Sequence, residues 1–87
     1  MENKQWNVQI FISEDDQDAV TTATAMLSAR DGRTYESVAH ARRNPSDRPV
    51  PEIGDELAAG RALADLAARL IEDAAVDVAR MAAARAR

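Results

Sequence analysis

Three groups of side chains in this chain are of types that do chemistry. His40 is the only histidine, and imidazole is the side chain that most readily moves a proton near neutral pH. A catalytic histidine needs a nucleophile or an orienting carboxylate at a recognisable spacing, and none accompanies it. His40 therefore reads as a surface or interface residue. Glu14, Asp15, Asp16 and Asp18 could hold a divalent cation weakly. An EF-hand loop counted from Asp15 needs glycine sixth and glutamate twelfth, where the chain has Val20 and Met26, so the run reads as a solvated turn. Arg42, Arg43 and Arg48 form the third group, candidate contacts for an anion or for a partner's carboxylates. The competing reading is intramolecular: one of them pairs with Glu52, Asp55 or Glu56 and fixes the chain to a helix start. No glycine-rich phosphate loop, nucleophile elbow or zinc pattern occurs, so no enzyme activity, cofactor or metal is expected.

Composition narrows the classes further. Eighty-seven residues make one domain, spanning 1–87. There is no cysteine, which removes disulfides and thiolate metal sites. No apolar run is long enough to span a membrane, and Met1-Glu2-Asn3-Lys4-Gln5 does not open a signal peptide; a cytoplasmic location is expected. Net charge is −4, with six Lys/Arg against eight Asp/Glu in residues 1–51 and five against seven in residues 52–87. Neither half offers a basic surface to phosphate. Only Trp6, Phe11 and Tyr35 are aromatic, so aliphatic side chains and alanine must build the core. Alanine fills little volume and demands close backbone approach.

The elements that position these groups are legible from periodicity. From Gln5 to Ser13, Trp6, Val8, Ile10 and Ile12 alternate with polar residues as in a half-buried strand, with Phe11 an exception on the polar face. Ala19 to Arg30 reads as a second strand with Ala23, Ala25, Leu27 and Ala29 on one face and Val20, Thr22, Thr24, Met26 and Ser28 on the other. Asp31-Gly32 is a hairpin signal. Thr34 to Arg43 is the third strand, with Tyr35, Ser37, Ala39 and Ala41 opposite Glu36, Val38, His40 and Arg42. The sheet therefore occupies residues 4–43.

Residues 44–51 hold all three prolines and are expected to be extended. A helix over 52–84 follows, with Glu52, Asp55 and Glu56 at its positive end. Projected at about 100° per residue, Leu57, Gly60, Leu63, Ala64, Ala67, Leu70, Ile71, Ala74, Val78 and Met81 form one stripe. That stripe is expected to face the sheet, with Gly60 allowing the close approach. Arg61, Asp65, Arg69 and Asp73 are expected on the solvent side as an i, i+4 ladder. Such a helix outruns the strands, so its far end needs another subunit or frays; whether it runs unbroken through Ala74-Ala75 stays open.

Ala41-Arg42-Arg43-Asn44-Pro45-Ser46-Asp47, Val50-Pro51-Glu52-Ile53-Gly54-Asp55-Glu56-Leu57-Ala58 and Arg61-Ala62-Leu63-Ala64-Asp65-Leu66, with Trp6-Asn7-Val8 ahead of them, resemble an actinobacterial family of small proteins classed as a domain of unknown function. The resemblance covers nearly the whole chain. It implies an α+β fold, a three-stranded antiparallel meander against one long C-terminal helix, like a double-stranded-RNA-binding domain without its leading helix. Members occur in bacteria with dormancy and stress programmes, and the family brings no activity to carry over. The RNA-binding surfaces of that fold are not reproduced here. The first hairpin loop is acidic and the last helix opens on Glu52, Asp55 and Glu56 where lysines would be needed.

The open face of a three-stranded sheet is the better lead. Phe11, Val20, Met26, Val38 and His40 lie on it, and clustered exposed apolar groups mark interfaces. The expected function is a non-catalytic module that binds itself or another protein. Nucleic-acid binding through Arg42, Arg43 and Arg48 is the alternative.

Overall fold

The computed structural model describes residues 1–29 and 32–86. Strands β1 (Val8–Asp15), β2 (Val20–Ser28) and β3 (Thr34–Arg42) precede one helix, α1 (Pro51–Arg85). The strands form an antiparallel sheet in the order β1-β2-β3, the α+β arrangement that the alternation and the connector imply. Register carries the alternation across the sheet: Ile10 lies opposite Ala25 and Ala25 opposite Ser37, while Ile12, Ala23 and Ala39 share the next row of that face.

Local chemistry explains the connections. The Asp15 carboxylate accepts the Gln17 and Asp18 backbone N–H groups at 3.0 and 3.3 Å, so this acid closes its own turn. Ala19 ends the turn at φ 54°, a left-handed conformation held without glycine. In the second hairpin Gly32 takes φ 89° and its N–H donates to the Ala29 carbonyl; Asp31 lies outside the described residues.

The connector differs from the extended run that three prolines suggest. Asn44 Oδ1 accepts the Ser46 N–H and hydroxyl, Asp47 N–H donates to the Asn44 carbonyl, and a turn forms before the chain extends. Val50 is extended at the helix boundary, and Pro51 takes the first helical position, where a missing N–H costs nothing.

The helix is continuous over 35 residues, about 52 Å at 1.5 Å per residue, in a molecule 61 Å long. Its roll is the main correction to the sequence reading. Ala58, Ala62 and Leu66 are buried against Ala23, Ala25, Leu27 and Ala41, with Ala59 and Leu70 flanking them. Leu57, Leu63, Ile71, Val78 and Met81 are exposed instead, Ile71 at 71% and Val78 at 65%. Close packing wins over hydrophobicity here: Ala58 and Ala62 on the helix meet alanines on β2 and β3, the two backbones approach, and Leu66 and Leu27 add larger side chains to the same seam. Gly60 is accordingly away from the sheet, with nothing near its missing Cβ. The close approach is at Gly54, where a Cβ would lie 2.7 Å from Thr21 Oγ1.

Arg61 and Arg69 are not idle members of a solvated ladder. Arg61 donates to the His40 carbonyl at 2.8 Å and Arg69 to the Glu36 carbonyl at 2.7 Å. They tie the helix to β3, while Asp65 holds Arg69 at 3.2 Å. The helix thus covers β2 and β3 and scarcely touches β1.

Candidate interaction surfaces

The sheet face turned from the helix assembles the predicted interface residues. Register sets Phe11, Thr24 and Val38 in one cross-strand row, with Gln9, Met26 and Glu36 on one side and Ser13, Thr22 and His40 on the other. Phe11 is 56% exposed and Val38 50%, Met26 is exposed beside them, and Val20 is half-buried near the turn. His40 Nδ1 shares a hydrogen bond with Thr22 Oγ1 at 3.0 Å. Its partner is a hydroxyl on a neighbouring strand, so the imidazole is positioned within the sheet.

A second apolar surface lies on the helix side, where sequence reasoning expected core. Trp6, Val8, Ile10 and Ile12 are all exposed, although Val8, Ile10 and Ile12 lie opposite the buried Leu27, Ala25 and Ala23. On α1 itself, Ile71 and Val78 are turned away from the sheet and exposed. Alternation identified the face of β1; what it lacked was the lateral position of the helix.

The three arginines line one cleft of about 600 Å³ between the first turn, the connector and the helix start. Glu14, Asp15 and Asp16 stand on its wall as well, which makes it electrostatically mixed rather than a basic anion site. The expected pairing of Arg42, Arg43 or Arg48 with Glu52, Asp55 or Glu56 is not seen among the described residues. Arg43 donates instead to the Asp47 carbonyl at 2.7 Å and braces the connector turn. Beside the cleft, a hydrogen bond with Asp55 and its negative charge raise the Glu14 pKa above the ordinary value. Asp55 Oδ1 is buried without a donor among the described residues. No cluster of metal-ligating side chains occurs among the described residues, and no helix among them is long and apolar enough to cross a membrane.

The family model described as Rv2632c-like matches residues 4–87. The chain belongs to the Rv2632c-like family. Its relatives include the uncharacterized protein Mb1767 of Mycobacterium bovis, 43% identical over 75 residues, 86% of this chain and 77% of that one. The uncharacterized protein Rv2632c of Mycobacterium tuberculosis is 44% identical over 70 residues, 80% of this chain and 74% of that one. The crystal structure of Rv2632c superposes with a TM-score of 0.83 at 40% identity, covering 93% of each chain. The actinobacterial family of unknown function that the connector resembles is thus the one the chain joins. Its relatives supply a fold and no chemistry to transfer.

Proposed function

We propose that this chain is a non-catalytic interaction module that self-associates through its uncovered apolar surfaces. The observation that carries the reading is an inversion of the usual balance. Among the described residues, only Leu27 and Leu66 are large apolar side chains fully inside the hydrophobic core, which is otherwise alanine. Ile10, Phe11, Ile12, Val38, Ile71 and Val78 are all outside it. Fully burying a side chain of that size contributes about 1.5–3 kcal/mol, so covering the part of these residues still exposed on either face is a favourable contribution to association.

Light scattering across a concentration series tests the reading, with Phe11→Glu and Ile71→Glu as charge insertions on the two surfaces. The expected result is a wild-type mass above one chain that falls in at least one variant. A wild type that stays monomeric at high concentration refutes self-association. If that monomer also binds an oligonucleotide with steep salt dependence, and Arg42→Ala with Arg48→Ala removes the binding, the arginine cleft is the functional surface instead.

A further inference from the structure

The two edges of the sheet are not equivalent. On β3, Arg61 and Arg69 already occupy the His40 and Glu36 carbonyls. On β1, all eight residues are exposed and, among the described residues, no strand lies beside its outer backbone edge. Proteins usually protect such an edge with proline, an internal lysine or a bulge. Val8–Asp15 contains neither proline nor lysine, and its register with β2 runs without interruption. The row Val8, Ile10, Ile12 on the helix side of this strand is the sequence of a central strand placed at an edge.

The exposed surface is also large for a chain of this size, with the 35-residue helix outrunning the sheet in a molecule 61 Å long. The chain exposes 7014 Å², whereas a compact 9.5 kDa protein exposes about 5,000 Å². The radius of gyration is 17.6 Å against about 12 Å for a compact chain of this length. The excess, roughly 2,000 Å² per chain, is on the scale each partner of an obligate dimer loses.

We infer that β1 pairs antiparallel with β1 of a second copy about a two-fold axis at Gln9, joining two sheets into one of six strands. This rests on the self-association reading above and names its partner and geometry. Charge and apolar matching select the register. With Gln9 opposite itself, Val8 meets Ile10, Trp6 meets Ile12, and Lys4 meets Glu14. Centring the axis on Ile10 sets Trp6 against Glu14, and centring it on Phe11 sets Val8 against Glu14. Parallel pairing stacks the acidic ends of both strands. Lys4, Gln5 and Trp6 line a small cleft with Ser28, which places the residues ahead of β1 alongside the end of β2, in line to continue the ladder.

Single-cysteine variants of the full chain test this, because the protein has no cysteine of its own. At the axis the two Gln9 Cα atoms stand about 4.5–5.5 Å apart, within the roughly 4.4–6.8 Å a disulfide spans. Gln9→Cys is therefore expected to form a covalent dimer on mild oxidation, with unchanged circular dichroism. Ser13→Cys, opposite Gln5 in this register, is expected not to. Both positions are exposed, so neither variant threatens the fold. A wild type of dimeric mass whose Gln9→Cys variant fails to cross-link overturns the β1 pairing and leaves self-association standing. A monomeric wild type overturns both.

Discussion

Replacing Gly54 by alanine is expected to destabilise this chain, whereas the same replacement at Gly60 is expected to stabilise it. In a helix interior alanine is favoured over glycine by about 0.8–1 kcal/mol, and at Gly60 nothing within 4 Å opposes that gain. At Gly54 the new methyl group would sit 2.7 Å from Thr21 Oγ1 and 3.5 Å from Thr21 Cβ. The second distance is ordinary contact; the first is not. Threonine is β-branched and stiff at χ1, and Thr21 is held within β2 between Glu14 and Ala41, so the helix start must lift from the sheet. Overpacking of this kind costs about 1–3 kcal/mol, which leaves a net loss of up to about 2 kcal/mol after the propensity gain. In a domain of this size each 1 kcal/mol moves the melting temperature by about 4–8 °C. Urea unfolding followed by circular dichroism measures both variants, read as midpoint shifts at constant slope. Adding Thr21→Ala removes the clashing oxygen and is expected to make Gly54→Ala neutral or stabilising. A Gly54→Ala variant as stable as Gly60→Ala in the wild-type background would refute the close approach.

Two further perturbations follow from buried or coupled polar groups. The Ser37 hydroxyl is fully buried and has no hydrogen-bond partner among the described residues; Ser37→Ala removes an unpaired polar group at a cost of one oxygen and is expected to raise stability by about 1 kcal/mol, read from the same urea curves. The Glu14 pKa is raised in the folded state by the hydrogen bond with Asp55 and by its charge, so the protonated form is favoured on folding. That contribution is complete below the ordinary pKa of 4.5 and is lost as pH rises through the folded value. Glu14→Gln is expected to flatten this pH dependence and to be more stable than wild type at neutral pH, checked by melting temperatures measured from acid to neutral pH.

The strands and their faces were legible because alternation is a local signal. Ala23, Ala25 and Leu27 on one side of β2, with Thr24 and Met26 on the other, need no knowledge of the rest of the chain. The helix existed in the sequence too, with its acidic start and its length, but its roll did not. A hydrophobic projection weights Leu57, Leu63 and Ile71 above Ala58 and Ala62, and so selects the wrong face. The deciding quantity was volume: against a sheet face of Ala23, Ala25, Ala39 and Ala41 the helix sets Ala58 and Ala62, and Leu66 joins the buried cluster with Leu27. The same error moved Gly60 into the seam and put Arg61 and Arg69 in solvent, since both follow from the roll. The open-face residues Phe11, Met26 and Val38 were found because their exposure depends on strand parity alone. Val8, Ile10 and Ile12 alternate as the buried side of a half-buried strand does, because nothing local reports that a helix stops short of them.

The helix stops short for a geometric reason. Three strands about 4.8 Å apart make a sheet whose outer strands lie roughly 10 Å from each other, and a helix with its side chains is about 10–12 Å across. The alanine seam lowers α1 onto the sheet and narrows its footprint, because short side chains reach little to either side. Arg61 and Arg69, drawn to the His40 and Glu36 carbonyls, fix that footprint toward β3. One narrow helix anchored at one edge cannot also shield Ile10 and Ile12 at the other. The small core and the bare β1 row therefore share one origin. The alanines that let this chain pack closely also leave the apolar row of β1 uncovered.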